Sequence, residues 1–116
     1  MTLIGEVKGK TCILIDDMID TAGTLCTAAD LLDKSGAKEI YAFATHGLFN
    51  GPAGDRIHKS AIKKVITTDS MPVKQAFTDK LGGRYEQVSL DLLLAEIIRR
   101  SHQNEDTQEL LTVPIY

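Results

Sequence analysis

A continuous, partly branched apolar run at residues 11–15 ends in an acid pair and a short turn, after which Leu25, Ala28, Ala29 and Leu32 recur at helical spacing. Such a run is what parallel strands covered on both faces display, and the i, i+3, i+4, i+7 spacing is one face of a helix. Strand, turn and helix follow, with Gly36 as the C-terminal stop. The alternation continues. "EIYAFAT" at 39–45 reads as a strand, "GPAGDRIHKSA" as a loop entering a short helix, and "KKVITT" at 63–68 as a third strand. Residues 74–81 read as an irregular or helical connection, and "YEQVSL" contains a short strand. Ser89 is the expected N-cap of a helix striped by Leu90, Leu93, Leu94, Ile97 and Ile98, with Arg99 and Arg100 at its negative end. That stripe is expected to be core rather than subunit interface. Alternating strands and helices predict an α/β parallel sheet with right-handed crossovers and flanking helices, which binds ligands outside the carboxyl ends of its strands.

At 116 residues and 43% hydrophobic composition, the chain is expected to form a single domain over residues 1–116. Net charge is -3, from 13 basic and 16 acidic residues, and the basic residues are scattered apart from Lys63-Lys64 and Arg99-Arg100. No electrostatic footprint for nucleic acid follows. No apolar stretch is long enough to span a bilayer, and no charged segment followed by an apolar one opens the chain, so the expectation is no membrane partner and a cytoplasmic location. Cys12 falls in a predicted strand and Cys26 in the first turn of a predicted helix, so both read as reduced residues in or near the core.

Residues 20–24, Asp-Thr-Ala-Gly-Thr, join the first strand to its helix. The first-turn amides of a helix have no intrahelical partners, the helix dipole adds partial positive charge, and Thr21 and Thr24 donate hydroxyls. Gly23 admits close backbone approach and Ala22 is too small to block it. A phosphate fits this turn. Asp16, Asp17 and Asp20 would repel a phosphate, so they need another purpose: carboxylates accept bonds from vicinal hydroxyls and are hard ligands for Mg²⁺. Ribose 5-phosphate carries both kinds of group.

"ILIDDMIDTAGT" resembles the phosphoribosyl pyrophosphate-binding signature of type I phosphoribosyltransferases. "GEVKGK", "THGLFNGPA", "SMP" and "LLLAEIIRRSH" resemble, in the same order, the C-terminal half of the ribose-phosphate pyrophosphokinase family. The resemblance covers nearly the whole chain and implies a phosphoribosyltransferase-like, Rossmann-like domain. It further implies that Asp20, Thr21, Ala22, Gly23 and Thr24 cradle the 5-phosphate while Asp16 and Asp17 face the ribose hydroxyls, with Mg²⁺ as cofactor. The family moves a pyrophosphoryl group from Mg-ATP to the ribose 1-hydroxyl and assembles into homo-oligomers. Its ATP site, a mobile loop with basic residues and a metal-binding histidine lie in an N-terminal half without counterpart in this sequence. The expectation is therefore an acceptor-side domain, inactive without that missing half.

Two rivals stand beside this reading. A response-regulator receiver domain shares the length, the strand ending in an acidic pair, and an aspartate shortly before Met-Pro, here "TDSMP". It has no use for Asp-Thr-Ala-Gly-Thr, and no strand-end lysine or hydroxyl residue follows Asp69 in the required order. A non-catalytic regulatory subunit of the same family is the other, for which a decayed phosphate loop is the expected mark; here the loop is intact. His46 is assigned a supporting role at a strand end, His58 and His102 a surface role, and Asp55 with Arg56 a charge pair at a helix start.

Overall fold

In the computed structural model, which describes residues 1–111, the first apolar run extends through the acid pair to form β1 (Thr11–Ile19). Then follow α1 (Gly23–Lys34), β2 (Glu39–Gly47), α2 (Ala53–Lys59), β3 (Ile62–Thr68), α3 (Gln75–Leu81), β4 (Tyr85–Val88) and α4 (Asp91–His102). Single 3-10 turns occupy Gly82–Arg84 and Gln108–Leu111. The tail "HQNEDTQELLTVPIY", polar first and apolar last, is expected from the sequence to pack a final turn or strand against the body, and its part beyond residue 111 lies outside the described residues.

The four strands among the described residues are all parallel, and their spatial order is β1-β2-β3-β4. When strand order follows chain order, every right-handed crossover lands on the same side of the sheet. The core accordingly lies on one face. Ala42, Ala44, Val65 and Thr67 are fully buried there, against Ala29 and Leu32 of α1, Ala53 and Ile57 of α2, and Phe77 and Leu81 of α3. Alternate residues meet the other face, where Ile13 is 62% and Ile15 78% exposed and Phe43 is 37% exposed. The expected two-sided cover of β1 is thus corrected: a branched run reads the same whether or not its second face is covered, and no helix among the described residues covers this one.

The expected face of α1 holds, with Ala29 and Leu32 buried and Leu25 and Ala28 half-buried. Gly36, at φ 91°, ends the helix, and the next amide, Ala37 N–H, donates to Leu32 O at 3.1 Å. The apolar stripe of α4 is corrected in turn. None of its residues is buried, and Leu94 and Ile98 are exposed at 53% and 69%. The Ser89 hydroxyl accepts the Asp91 amide at 3.2 Å, but Leu90 holds the cap position and donates its own amide to Asp69 Oδ1 at 2.9 Å. Phe49, Phe77 and Tyr85 close the end of the core. The two phenylalanine rings stack with centroids 3.9 Å apart, Tyr85 meets both edge-on, and its hydroxyl pairs with Thr67 Oγ1 at 2.7 Å.

Candidate functional site

The carboxyl edge of the sheet gathers the end of β1, the turn into α1 and the segment after β2. Three backbone bonds tie the turn to that segment: the Leu48 and Phe49 amides donate to Ile19 O at 2.9 and 3.1 Å, and the Asn50 amide donates to Asp20 O at 3.0 Å. Asn50 Nδ2 also donates to Asp20 Oδ1 at 2.9 Å. The Asp20 carboxylate therefore shapes the turn by holding the neighbouring loop.

Helix α1 starts at Gly23, and its cap residue Ala22 makes no side-chain cap bond. The first turn contains no acid, and the first helical bond is Cys26 N–H to Ala22 O at 3.0 Å. The amides of Gly23, Thr24 and Leu25 are the orphan donors of this helix end. Ala22 sits in the left-handed region at φ 64°, ψ 17°, and is buried. That backbone is strained for a residue with a Cβ. Gly23 next to it has no positive φ, so backbone freedom is not why glycine stands there. A Cβ on Gly23 would lie 3.0 Å from Arg56 Nη1.

A cleft of about 170 Å³ is lined by Asp16, Met18 and Ile19, by residues 20–24 and by Leu25. Six of the seven residues expected from the sequence thus share one cavity wall; Asp17 does not. The reason is the strand period: successive side chains point to opposite faces, so consecutive aspartates on β1 part company. Asp16 follows the helix-covered face to the cleft, and Asp17 follows Ile13 and Ile15. Each carboxylate accepts the amide of the next residue, Asp16 Oδ1 from Asp17 N–H and Asp17 Oδ1 from Met18 N–H, both at 2.8 Å. The Asp16 side chain, then the Met18 amide, hold the Asp17 carboxyl below its ordinary range.

No three His, Cys, Asp or Glu side chains among the described residues converge as a metal centre. Asp16 and Asp17 still offer the oxygen chemistry that Mg²⁺ takes when it binds through one or two carboxylates plus substrate oxygens and water. His46 Nδ1 and Ser70 Oγ lie 2.7 Å apart, and the Ser70 hydroxyl also donates to Thr45 O at 3.3 Å, joining the ends of β2 and β3. Cys26 is a free thiol pushed up by burial, with a Ser60 bond and the Arg56 charge opposing.

The Asp55-Arg56 pair is corrected. Asp55 is ion-paired with Lys80 on α3, and Arg56 reaches back to the turn, where Nη1 donates to Thr21 O at 3.1 Å. Arg84 also escaped the sequence reading; its guanidinium donates to carbonyls at both ends of the α2–β3 junction. No local pattern announces either arginine, because their partners stand 22 to 35 residues away in the chain.

Residues 1–112 match the model of the phosphoribosyl synthetase-associated domain. The chain belongs to that family. Within it, the chain is 48% identical over 113 residues to ribose-phosphate pyrophosphokinase 1 of Streptococcus pneumoniae, covering 97% of this chain and 34% of that protein. It is 46% identical over 105 residues to ribose-phosphate pyrophosphokinase of Vibrio parahaemolyticus, covering 90% and 33%. The crystal structure of phosphoribosylpyrophosphate synthetase from Mycobacterium smegmatis superposes with a TM-score of 0.80 at 42% identity, over 87% of this chain and 33% of that one. The phosphoribosyl synthetase-associated chain thus spans about a third of the length of these relatives. The expectation of a C-terminal half is corrected accordingly: the matched stretch is a third of the relatives' length. The receiver reading falls here as well, since receivers place their first strand inside the sheet, and β1 is an edge strand among the described residues. No helix among the described residues is long and apolar enough to cross a membrane.

Proposed function

We propose that this chain is the acceptor-side lobe of a ribose-phosphate pyrophosphokinase and binds ribose 5-phosphate in the cleft between β1 and α1. One observation carries the reading. Three open amides at residues 23–25 and the hydroxyls of Thr21 and Thr24 share one cavity wall with a carboxylate, Asp16, that approaches from the strand. The amides and hydroxyls suit the 5-phosphate, and Asp16 suits the sugar hydroxyls. Asp17, on the other side of the strand, is left for Mg²⁺, which when bound would supply charge neutralisation for the phosphates of Mg-ATP. Asp20 acts by holding Asn50, so that the turn keeps its shape.

Pyrophosphoryl transfer to the ribose 1-hydroxyl needs ATP aligned in line with that oxygen and cationic groups around the developing charge. This chain orients the acceptor. The donor side comes from a further polypeptide segment or a partner subunit, and the chain alone makes no phosphoribosyl pyrophosphate. The intact cradle favours a catalytic lobe over a regulatory subunit.

Calorimetric titration with ribose 5-phosphate and with inorganic phosphate tests the assignment. Thr24→Ala should lose about ten- to a hundredfold in affinity for both ligands, the worth of about 1.5–3 kcal/mol for a bond to a charged group. Asp16→Asn should weaken ribose 5-phosphate alone, and Asp17→Asn should change only the Mg²⁺ dependence of its binding. Failure of the wild-type chain to bind ribose 5-phosphate, or equal loss of free phosphate in Asp16→Asn and Thr24→Ala, refutes the reading.

A further inference from the structure

The turn into α1 has a charge problem. It is to hold a phosphate beside Asp16, Asp17 and Asp20, yet between Thr11 and Asp33 the chain contains no lysine, arginine or histidine. A cation has to arrive from elsewhere in the fold. Arg56 on α2 is placed to be that cation: Nη1 donates to Thr21 O at 3.1 Å and lies 3.0 Å from where a Gly23 Cβ would stand, with Cζ at 3.8 Å. Its neighbour Asp55 is taken by Lys80, so Arg56 is not neutralised from its own helix. The Thr21 carbonyl uses one of five guanidinium donors, and the rest meet no other hydrogen-bond acceptor among the described residues.

We propose that Arg56 is a positioning residue for the phosphate turn. It pins the Thr21 carbonyl so that Ala22 stays in its strained left-handed conformation, and it turns the remaining guanidinium donors toward the same anion. The proposal rests on reading the turn as a phosphate site. It also explains Gly23 differently from the sequence: glycine at this position makes room for the guanidinium. Arg56 and Gly23 are therefore a matched pair, with one supplying the charge and the other leaving the space for it.

The test uses Arg56→Ala, Arg56→Lys, Gly23→Ala and the double variant Gly23→Ala/Arg56→Ala. Calorimetry reads ribose 5-phosphate and inorganic phosphate, and ligand-free amide hydrogen exchange reads residues 22–25. Arg56 is exposed, so its variants should keep the wild-type melting temperature and differ only at the site. Arg56→Ala should lose about ten- to a hundredfold for both ligands and exchange faster at the turn. Arg56→Lys should recover part of the affinity through its charge while the turn still exchanges fast, because an ammonium lacks the planar fork. Gly23→Ala should resemble Arg56→Ala, and the double variant should be no worse than either. If wild type binds and Arg56→Ala binds equally well, the proposal is overturned and the phosphate reading stands. If wild type binds neither ligand, the phosphate reading fails, and with it the anion role of Arg56. Unchanged turn exchange in Arg56→Ala then overturns the positioning role too.

Discussion

Replacing Arg84 by alanine should unfold this chain more readily than any other single change to a surface-reaching side chain. Its half-buried guanidinium donates to His58 O at 2.9 Å, Ile57 O at 2.8 Å and Ile62 O at 2.7 Å, with Ser60 O at 3.4 Å. These carbonyls belong to the last turn of α2, its C-cap Ser60 and the first residue of β3, so one side chain closes the helix and starts the strand. A net bond to a charged group is worth about 1.5–3 kcal/mol. Bonds sharing one guanidinium do not add, and water reaches part of the group, so the whole set is expected to contribute about 3 kcal/mol. For a domain of this size that lowers Tm by about 10–15 °C. Urea unfolding followed by circular dichroism, with the slope m unchanged, is the assay. Arg84→Lys should recover less than half of the loss, because a single ammonium cannot meet carbonyls spread over that junction. A loss below about 1 kcal/mol for Arg84→Ala, or full recovery by lysine, would refute the view that this one side chain staples helix to strand.

Three further outcomes follow from the same structure. Gly47→Ala should cost about 2 kcal/mol or more, since its Cβ would enter the buried Phe49 ring and come within 3.0 Å of Thr67 Oγ1; a thermal melt within 1 °C of wild type would contradict this. Glu96 is held down to about 2 by bonds from Arg99 and then Arg100, below its ordinary 4.5, so its support of α4 is complete above pH 4.5 and lost as pH falls through about 2. Far-ultraviolet circular dichroism should show helix loss across that window, and Glu96→Gln should flatten it. Ile15→Lys on the bare sheet face should leave stability within about 0.5 kcal/mol and reduce both self-association and binding of a hydrophobic dye; a large stability loss would mean that Ile15 is covered.

What the sequence revealed, and what it hid, follows from the range of the interactions. The turn at residues 20–24 was legible as a strand-to-helix junction because small and hydroxyl residues stand there between an apolar run and a helical stripe. The buried face of α1 was legible because helical period and apolar character coincide in Ala29 and Leu32. The separation of Asp16 from Asp17 was also within reach, since strand alternation carried on through Ile19 divides them; the reading stopped the strand too soon, at residue 15. Arg56, Arg84 and the Asp55-Lys80 pair were beyond reach, because each contact joins segments that only the fold brings together. The α4 stripe misled for a different reason: amphipathicity shows that a helix has an apolar side without showing what meets it.

The sheet order also governs how the molecule winds. Each strand pairs with its immediate successor, as Cys12 with Ile40, Ala42 with Val65 and Val65 with Tyr85, so among the described residues no strand waits for a partner made much later in the chain. The spool can be laid down from one end, and the first complete turn of winding, from β1 through α1 to β2, already contains the turn at residues 20–24 together with the Ile19 carbonyl that its neighbouring loop will grip. The far end is lighter: β4 is four residues long and α4 buries none of its own. Unwinding should accordingly begin at β4 and α4 and run backward, leaving the turn between β1 and α1 among the last parts to come apart.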